Sequence, residues 1–356
     1  MYKFFKKILK LIGGLILFVV ILAVGLVGWL SITEFDPEDR EQISYYTVKQ
    51  DLPQTQVGAS MTLYSWNIGY AGLGKDSDFF MDGGKMTDPP SQQAVEANMA
   101  AIADFIASED ADVWLLQEVD VNSSRTESMD QFQKLQTVWN GTSGFAYNYK
   151  CPFVPIPLPP LGRVESGIAT LTGLETDSEM TRVSLPCPFS WPVRVAQIKR
   201  CLLVSRLPIE GSEKELVIVN LHLEAYDDGE GKIAQTNVLM ELLQEEYEKG
   251  NYVIAGGDFN QTFPGTQDKY PIAEPEKWLP GVLEESTLPE GWQYAYDAAS
   301  PTCRLLDKLF DGTNQGYVID GFILSPNVQL QAVETVDLQF ENADHNPVRL
   351  NVTLIP

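Results

Sequence analysis

The stretch Tyr252-Val-Ile-Ala-Gly-Gly-Asp-Phe-Asn260 decides the fold. Its first four residues form a short apolar run that is typical of a buried strand, and two glycines follow. Asp258 and Asn260 stand directly where this strand ends. A buried carboxylate costs several kcal/mol unless a cation or hydrogen bonds compensate it. The stretch therefore predicts a buried strand with a polar site at its end.

The same pattern recurs along the chain, because other apolar runs also end in acids, amides or histidines. These further strand-end residues are Asn67, Glu118, His222, Asp320, Asp344 and His345. They include both histidines of the chain. We expect these strand ends to converge on one site that binds a cation.

The residue types narrow the choice of cation. Carboxylate and amide oxygens are hard ligands that suit Mg²⁺, with Mn²⁺ as an alternative. A zinc site would need cysteines or several closely spaced histidines, and neither pattern occurs in the sequence. Hard cations in such sites commonly stabilise charge on phosphoryl oxygens. The residues therefore predict metal-dependent hydrolysis of a phosphoester.

Residues 61–355 alternate between runs of strand length and two helical stretches. Val95, Met99, Ile102 and Ile106 recur at spacings of three and four, which predicts a helix over 94–108. A second helix is predicted over 232–249. We interpret three segments as loops: 74–91, the proline-rich 150–165 and 262–300. Many strands and few helices predict an α/β domain with two packed sheets flanked by helices.

An ordered set of motifs resembles the endonuclease/exonuclease/phosphatase superfamily, the deoxyribonuclease-I-like metal-dependent phosphoesterases. The motifs are Trp66-Asn67-Ile68, Gln117-Glu118-Val119, Asn220-Leu221-His222, Gly257-Asp258-Phe259-Asn260, Ile319-Asp320 and Asp344-His345. The resemblance spans about residues 60–355. It implies a four-layer sandwich of two mixed β-sheets between helices, with the active site where strand ends meet.

The resemblance also implies a role for each residue. The implied catalytic residues are Asp258, His345, His222, Asn260 and Asp320, and the implied metal ligands are Glu118, Asn67 and, through water, Asp344. Asp258 would polarise the attacking water, and Asn260 would position that residue and the phosphate. His222 would donate to a phosphoryl oxygen, while Asp320 would orient His345 at the scissile phosphate. Whether Asp258 or His345 is the general base remains open.

An apolar segment without charge, Leu11 to Ile32, stands near the N-terminus. As a helix it would rise about 33 Å at ~1.5 Å per residue, enough to cross a bilayer core of ~30 Å. Four lysines precede it and acidic residues follow it, which predicts a cytoplasmic N-terminus and an outside domain. A cleaved signal peptide is the alternative, but its apolar region is normally shorter, about 7–15 residues.

We therefore divide the chain into a basic cytoplasmic stub (1–10), a transmembrane anchor (11–32), a linker (33–58) and a catalytic domain (59–356). The domain would be attached to the lipid bilayer of the cell membrane by a single span.

The four cysteines of the catalytic domain either form one or two disulfides or are buried free thiols. The net charge of −24 counts against a general nucleic-acid binder.

The predicted substrate is a lipid headgroup or a small phosphoester at the outer membrane face, cleaved by in-line attack of water. An extracytoplasmic endonuclease of the same family is the alternative; the segment 262–300 offers Tyr270, Trp278, Trp292 and Tyr294 but mostly acidic neighbours. A catalytically inactive binding module is the third hypothesis, and the intact ligand set argues against it.

Two further features have more than one interpretation. Arg200 either reaches the phosphate or lies on the surface. The apolar segment 150–165 dips into lipid, lines a substrate groove or packs on the core.

Overall fold

The computed structural model describes residues 2–49, 51–176, 180–227 and 229–356. Met1 of the predicted stub, Gln50 of the predicted linker, and residues 177–179 and 228 of the predicted domain lie outside these ranges. The α-helices are α1 (Tyr2–Ile32), α2 (Gln92–Ser108), α3 (Gln131–Val138), α4 (Glu230–Glu248) and α5 (Thr266–Lys269). Short 3-10 helices cover Gly69–Ala71, Phe80–Asp82, Ser124–Thr126, Val193–Ala196 and Glu285–Thr287.

The strands belong to two large sheets and two short ribbons. They are β1 (Arg40–Ile43), β2 (Tyr45–Thr47), β3 (Ser60–Asn67), β4 (Val113–Asp120), β5 (Thr142–Val154), β6 (Gly162–Thr172), β7 (Met180–Ser184), β8 (Cys201–Pro208), β9 (Glu215–His222), β10 (Tyr252–Asp258), β11 (Gln261–Thr262), β12 (Gly281–Val282), β13 (Gln293–Ala295), β14 (Cys303–Arg304), β15 (Gly316–Tyr317), β16 (Asp320–Leu324), β17 (Val328–Thr335) and β18 (Val348–Leu354). The first sheet has the order β1-β7-β8-β9-β10-β16-β13 and the second the order β17-β18-β3-β4-β6-β5-β2.

Each large sheet contains one parallel pair, β9 with β10 and β3 with β4, and its other neighbours are antiparallel. A helix connects the strands of each parallel pair: α4 in the first sheet and α2 in the second. The two mixed sheets flanked by helices confirm the predicted fold class.

The core explains why the central strands are apolar on both faces. Between the sheets lie Leu63, Leu115, Ile218, Ile254 and Phe322, all fully buried. The opposite face of each sheet is covered by a helix, α2 on the second sheet and α4 on the first. Strands covered on both sides read as continuous apolar runs rather than as alternating ones. Truncating one of these side chains to alanine typically costs about 2–5 kcal/mol.

The parallel pairs bring polar strand ends to one edge of the sandwich. Asn67, His222 and Asp258 are the last residues of β3, β9 and β10. Gly257 permits the close pairing of β10 with β9, since a Cβ there would lie 1.9 Å from the carbonyl oxygen of Leu221. Its φ of +153° also disfavours other residues.

The helix α1 is, within the described ranges, the one helix long and apolar enough to cross a membrane. It begins at Tyr2, so residues 2–10 of the predicted stub continue the helix. Most of its side chains are exposed, and only Leu30 is buried. Leu30 packs against Val154 and Val195 of the domain.

The predicted linker differs from the structure, because part of it belongs to the sandwich. Residues 40–43 form β1, which pairs with β7, and residues 45–47 form β2, which pairs with β5. Both are short edge strands of half-exposed side chains, so they carry no apolar pattern that would predict them.

Two of the predicted loops also contain strands, and the third, 74–91, contains the 3-10 helix Phe80–Asp82. The strand β5 continues to Val154 and β6 begins at Gly162, so only residues 155–161 of the segment 150–165 form a loop. Pro152 lies where the register of β5 shifts between Cys151 and Val154, a position that tolerates proline. The segment 262–300 contains α5, β12 and β13.

All four cysteines are free thiols, and three of them, Cys151, Cys201 and Cys303, are buried. The structure therefore agrees with the buried-thiol alternative rather than with disulfides.

Candidate active site

The strand ends of both sheets meet at one point. Nδ2 of Asn67 donates to Oε1 of Glu118 at 3.1 Å and to Oδ2 of Asp258 at 3.0 Å. Nε2 of His222 lies 3.4 Å from the same Asp258 oxygen, and Nε2 of His345 lies 3.8 Å from it. The structure thus brings together side chains that are up to 278 positions apart in the chain.

Glu118 owes its direction to an irregularity in β4. The register between β4 and β6 shifts between Leu116 and Val119, and Glu118 itself has a φ of +54°. A bulge re-aims a side chain, and a non-glycine residue in this conformation is held there by its surroundings. The bulge directs Glu118 into the cavity, where its side chain is 26 % exposed.

Asp258 is fixed by the tight turn that follows β10. Its Oδ1 accepts a hydrogen bond from the backbone N–H of Asn260 at 2.8 Å. Asn260 has a φ of +51°, which asparagine tolerates better than most residues. Its side chain donates to the carbonyl oxygen of Leu223 at 2.9 Å. The backbone of Asn260, rather than its amide, therefore positions Asp258.

His345 is paired with Asp320. Nδ1 of His345 lies 2.8 Å from Oδ2 of Asp320, and both residues are buried. Thr302, which sequence reasoning missed, accepts hydrogen bonds from the N–H groups of Ile319 and Asp320 at 3.0 and 3.1 Å. Burial alone would lower the pKa of His345, but the Asp320 carboxylate and Cys303 raise it well above its usual value. The pairing therefore favours the protonated ring.

Burial and neighbouring carboxylates raise the pKa values of two acids of the site, Asp258 and Asp344. Burial, followed by the neighbouring Asp320, raises the pKa of Asp258 to about 7. Burial and the nearby Glu118 raise the pKa of Asp344 to about 7, against the opposing effect of His345. Oδ1 of Asp344 is buried without a hydrogen-bond partner among the described residues. Such a group of carboxylates is stabilised by a cation.

The donor atoms fit a hard divalent cation. Ligand atoms of Asp258, Asp320 and His345 lie within 4.8 Å of one another. Asp320 is paired with His345 and does not line the cavity, whereas Glu118 and Asp344 do, and Oδ1 of Asp344 has no hydrogen-bond partner among the described residues; Glu118 and Asp344 are therefore placed to reach a cation there. Asn67 differs from the expected ligand: its Oδ1 accepts from the N–H of Gly69 at 3.0 Å, and its Nδ2 faces the carboxylates. In this orientation Asn67 holds Glu118 and Asp258 in place.

The site opens into a cavity of about 240 Å³. Arg200 lines it and is only 3 % exposed, so the surface alternative for this residue is wrong. Its Nε and Nη1 have no hydrogen-bond partner in the described part of the chain, and Nε lies 3.9 Å from Glu224. Burial, together with the positive charge of Arg200, lowers the pKa of His222 well below its usual value.

Glu224 and a hydrogen-bonded pair in the cavity wall, the buried Asp82 with the more exposed Tyr226, were also missed from the sequence. Glu224 stands two residues after His222, just beyond the end of β9, so the sequence could have identified it as a candidate site residue. The hydroxyl of Tyr226 donates to Oδ1 of Asp82 at 3.0 Å. No sequence pattern connects these two residues, because they are 144 positions apart.

Residues 64–339 match the model of the Endonuclease/Exonuclease/phosphatase family. The chain belongs to this family. Its members are metal-dependent phosphoesterases, which confirms the predicted class of enzyme. A sequence comparison with curated proteins gives no match.

The fold is shared with solved structures. One is an endonuclease/exonuclease/phosphatase from Beutenbergia cavernae, with a TM-score of 0.58, 16 % identity, and coverage of 83 % of this chain and 72 % of that one. Another, from Bacteroides vulgatus, has a TM-score of 0.54, 15 % identity and coverage of 83 % and 99 %. TDP2 from Caenorhabditis elegans has a TM-score of 0.50, 17 % identity and coverage of 86 % and 76 %. At these identities the similarity establishes a common fold.

Proposed function

We propose that this chain is a membrane-anchored, Mg²⁺-dependent hydrolase of a lipid-headgroup or small phosphoester at the outer membrane face. The observation that carries the proposal is the position of Asn67, which holds Glu118 and Asp258 together through one amide nitrogen. A metal ligand and a group that polarises water must lie this close for water to attack a bound phosphate in line.

Glu118 and Asp344 would hold the Mg²⁺, the latter through water, and Asn67 fixes the direction of Glu118. Mn²⁺ has similar ligand preferences and would substitute for it. When bound, the cation stabilises the charge that develops on the phosphoryl oxygens. Two observations support this assignment: Oδ1 of Asp344 has no hydrogen-bond partner among the described residues, and the pKa values of Asp258 and Asp344 are raised.

The attacking water would be oriented by Asp258. Hydrogen bonds from Asn67 and from the backbone of Asn260 hold both carboxylate oxygens of Asp258 in fixed directions. His222, whose lowered pKa keeps it neutral, would donate a hydrogen bond to a phosphoryl oxygen. His345, oriented by Asp320, would contact the scissile phosphate and transfer a proton.

Arg200 would donate hydrogen bonds to a non-bridging phosphate oxygen. It lies at the start of β8 and lines the same cavity as His222. Two of its N–H-bearing nitrogens lack partners among the described residues, although the side chain is buried. A buried guanidinium with free donors is well suited to a phosphate, because it offers several donors in one plane.

The lysines in the first turns of helix α1 and the acids that follow the helix support a cytoplasmic N-terminus and an outside catalytic domain.

The endonuclease alternative finds less support. Trp292 is buried in the core, and Tyr270 and Tyr294 pack against the same cluster. Trp278 donates to the carbonyl oxygen of Ala225. Only Trp278 of these four residues lines the catalytic cavity, so they do not form an extended row of exposed rings on which successive bases could stack.

The test is a side-by-side assay of the full-length protein in detergent micelles. The substrates are sphingomyelin, phosphoinositides, plasmid DNA and a chromogenic phosphodiester, each with Mg²⁺, with Mn²⁺ or with EDTA. We expect hydrolysis of the chromogenic diester and of a lipid, and loss of both in EDTA. Preferential nicking of the plasmid would replace the proposal with the endonuclease. No turnover of any phosphoester would leave the inactive binding module.

A further inference from the structure

The β5–β6 hairpin ends in an apolar tip, Pro155-Ile-Pro-Leu-Pro-Pro160. Ile156 is 73 % exposed and Leu158 is 85 % exposed. Trp191, just before the 3-10 helix Val193–Ala196, is 61 % exposed, and Val193 at its start is 53 % exposed. We call these four side chains the apolar rim. Their neighbours Val154 and Val195 pack in one cluster, so the four exposed side chains lie on the same side of the domain, and large exposed apolar groups of this kind mark a surface that binds a partner or a membrane.

The apolar rim lies beside the end of the helix α1. Leu30 of the helix is buried in one cluster with Val154 and Val195, and Leu26 packs against the same cluster. Nε1 of Trp191 donates to Oγ of Ser31 at 3.0 Å. The hairpin and the Trp191 segment are therefore in direct contact with the last two turns of α1.

This contact fixes the depth of the hairpin relative to the proposed anchor. Leu26 lies six residues before Ile32, which corresponds to about 9 Å along the helix axis. If residues 11–32 span the bilayer, Leu26 lies inside the hydrocarbon, and side chains that pack on it lie at membrane level. We propose that the apolar rim inserts into the outer leaflet as a second membrane contact; the inference rests on the anchoring stated under Proposed function.

The chemistry of the tip suits insertion. Four of its six residues are prolines, which have no backbone N–H, so fewer polar groups lose water when the tip enters lipid. Trp191 is a residue type that favours the membrane interface. Lys150 is exposed on β5 of the hairpin, while the half-exposed Arg194 is paired with Glu34. In a chain with a net charge of −24, Lys150 is the cation of this region that is available to lipid phosphates.

The catalytic cavity and the apolar rim share a wall. Tyr149 and Leu161 line the cavity and also pack in the cluster that contains Leu30. Phe189, two residues before Trp191, lines the same cavity. Insertion of the rim therefore places the mouth of the cavity at the level of the headgroups. The substrate class that this geometry selects is a membrane lipid whose phosphoester reaches Asp258 without leaving the bilayer.

A depth measurement tests the membrane contact without requiring activity. Full-length protein carrying Cys187→Ser and Leu158→Cys is labelled with an environment-sensitive fluorophore and placed in lipid nanodiscs; the other native cysteines are buried. The control position is Gln329→Cys, which is exposed on the opposite edge strand β17. We expect a blue shift and strong quenching by acyl-chain spin labels at position 158 only. Equal, water-like fluorescence at both positions would overturn the proposal. A blue shift at position 158 that also occurs in lipid-free detergent, because a second copy of the protein covers the tip, would overturn it as well.

A paired activity assay tests the substrate class. Ile156→Asp and Leu158→Asp are compared with the control Gln329→Asp on a lipid phosphoester in vesicles and on a soluble chromogenic diester. We expect the two rim variants to lose at least about tenfold in lipid turnover and to keep full turnover of the soluble diester. Unchanged lipid turnover would contradict the proposal. If no variant cleaves the soluble diester, the proposed function fails, while the depth measurement still decides the membrane contact.

Discussion

Nδ2 of Asn67 lies 3.0 Å from Oδ2 of Asp258, although the two residues are 191 positions apart. Asn67 ends β3 in one sheet and Asp258 ends β10 in the other, so this hydrogen bond joins the two sheets at the site. The active-site residues therefore come from both sheets, and neither sheet contains the complete set.

Asp258→Asn should abolish most turnover without unfolding the protein. The substitution preserves shape but removes the negative charge that orients water, and we expect kcat to fall by about 10²–10⁴-fold. Circular dichroism should show an unchanged fold. The matched control is Asp268→Asn on α5, which is exposed and should keep native kcat. Near-native turnover by Asp258→Asn would remove this residue from the mechanism.

Asp320 is proposed to act through His345, and a double-mutant cycle separates this role from a general structural one. We expect Asp320→Asn to lower kcat about 10²-fold with little change in KM, because the carboxylate does not touch substrate. In a His345→Ala background the same substitution should cost almost nothing further. Additive losses in the double variant would show that the two residues act independently.

Arg200→Lys should weaken phosphate binding while preserving charge. Lysine lacks the planar set of donors, so we expect inhibition by inorganic phosphate to weaken about tenfold. The control is Arg349→Lys on β18, where the guanidinium pairs with Glu334. An unchanged inhibition constant for Arg200→Lys would mean that this arginine serves only its contact with Glu224.

Glu246 should stabilise the domain in a pH-dependent way. Burial opposes its ionisation, but hydrogen bonds from Arg206 and Lys249 outweigh burial and lower its pKa to about 2. Its contribution is therefore present above the ordinary value of 4.5 and is lost as the pH falls towards about 2. We expect Glu246→Gln to cost roughly 1–2 kcal/mol at pH 7, since Arg206 remains partly in water.

Thermal unfolding at pH 7 and pH 3 measures this effect. The difference in Tm between Glu246→Gln and the unchanged protein should be a few degrees at pH 7 and should shrink at pH 3. Glu245→Gln is the control, since its one ion pair, to Arg40, is long and exposed. A difference in Tm that is independent of pH would contradict the assigned pKa.

The fold was predictable where a strand or helix carries its own pattern. The apolar runs of β3, β9 and β10 and the spaced apolar residues of α2 identify these elements from local sequence. The strands β1 and β2 were not predictable, because their short, half-exposed sequences are fixed only by pairing with β7 and β5. The edge strand β17 is similarly defined by its distant partner β18.

The sequence identified which residues form the site, but not the directions or the burial of their side chains. Polar residues after apolar runs identified Asn67, Asp258 and both histidines. The bulge that aims Glu118 into the cavity depends on the pairing of β4 with β6, which no local pattern indicates. The orientation of Asn67 depends on the N–H of Gly69, and the burial of Arg200 depends on the packing of both sheets.

The central claim is that Glu118 belongs to a site for a divalent cation at the meeting point of the two sheets. The most direct measurement is the Tm of the full-length protein with and without Mg²⁺, for the unchanged chain, for Glu118→Gln and for the exposed control Glu290→Gln. At about 100 times Kd, binding should stabilise the native state by about 2.7 kcal/mol, a rise of roughly 5–10 °C. We predict this rise for the unchanged chain and for Glu290→Gln, and its loss in Glu118→Gln. The absence of any rise, or an equal rise in Glu118→Gln, would contradict the claim.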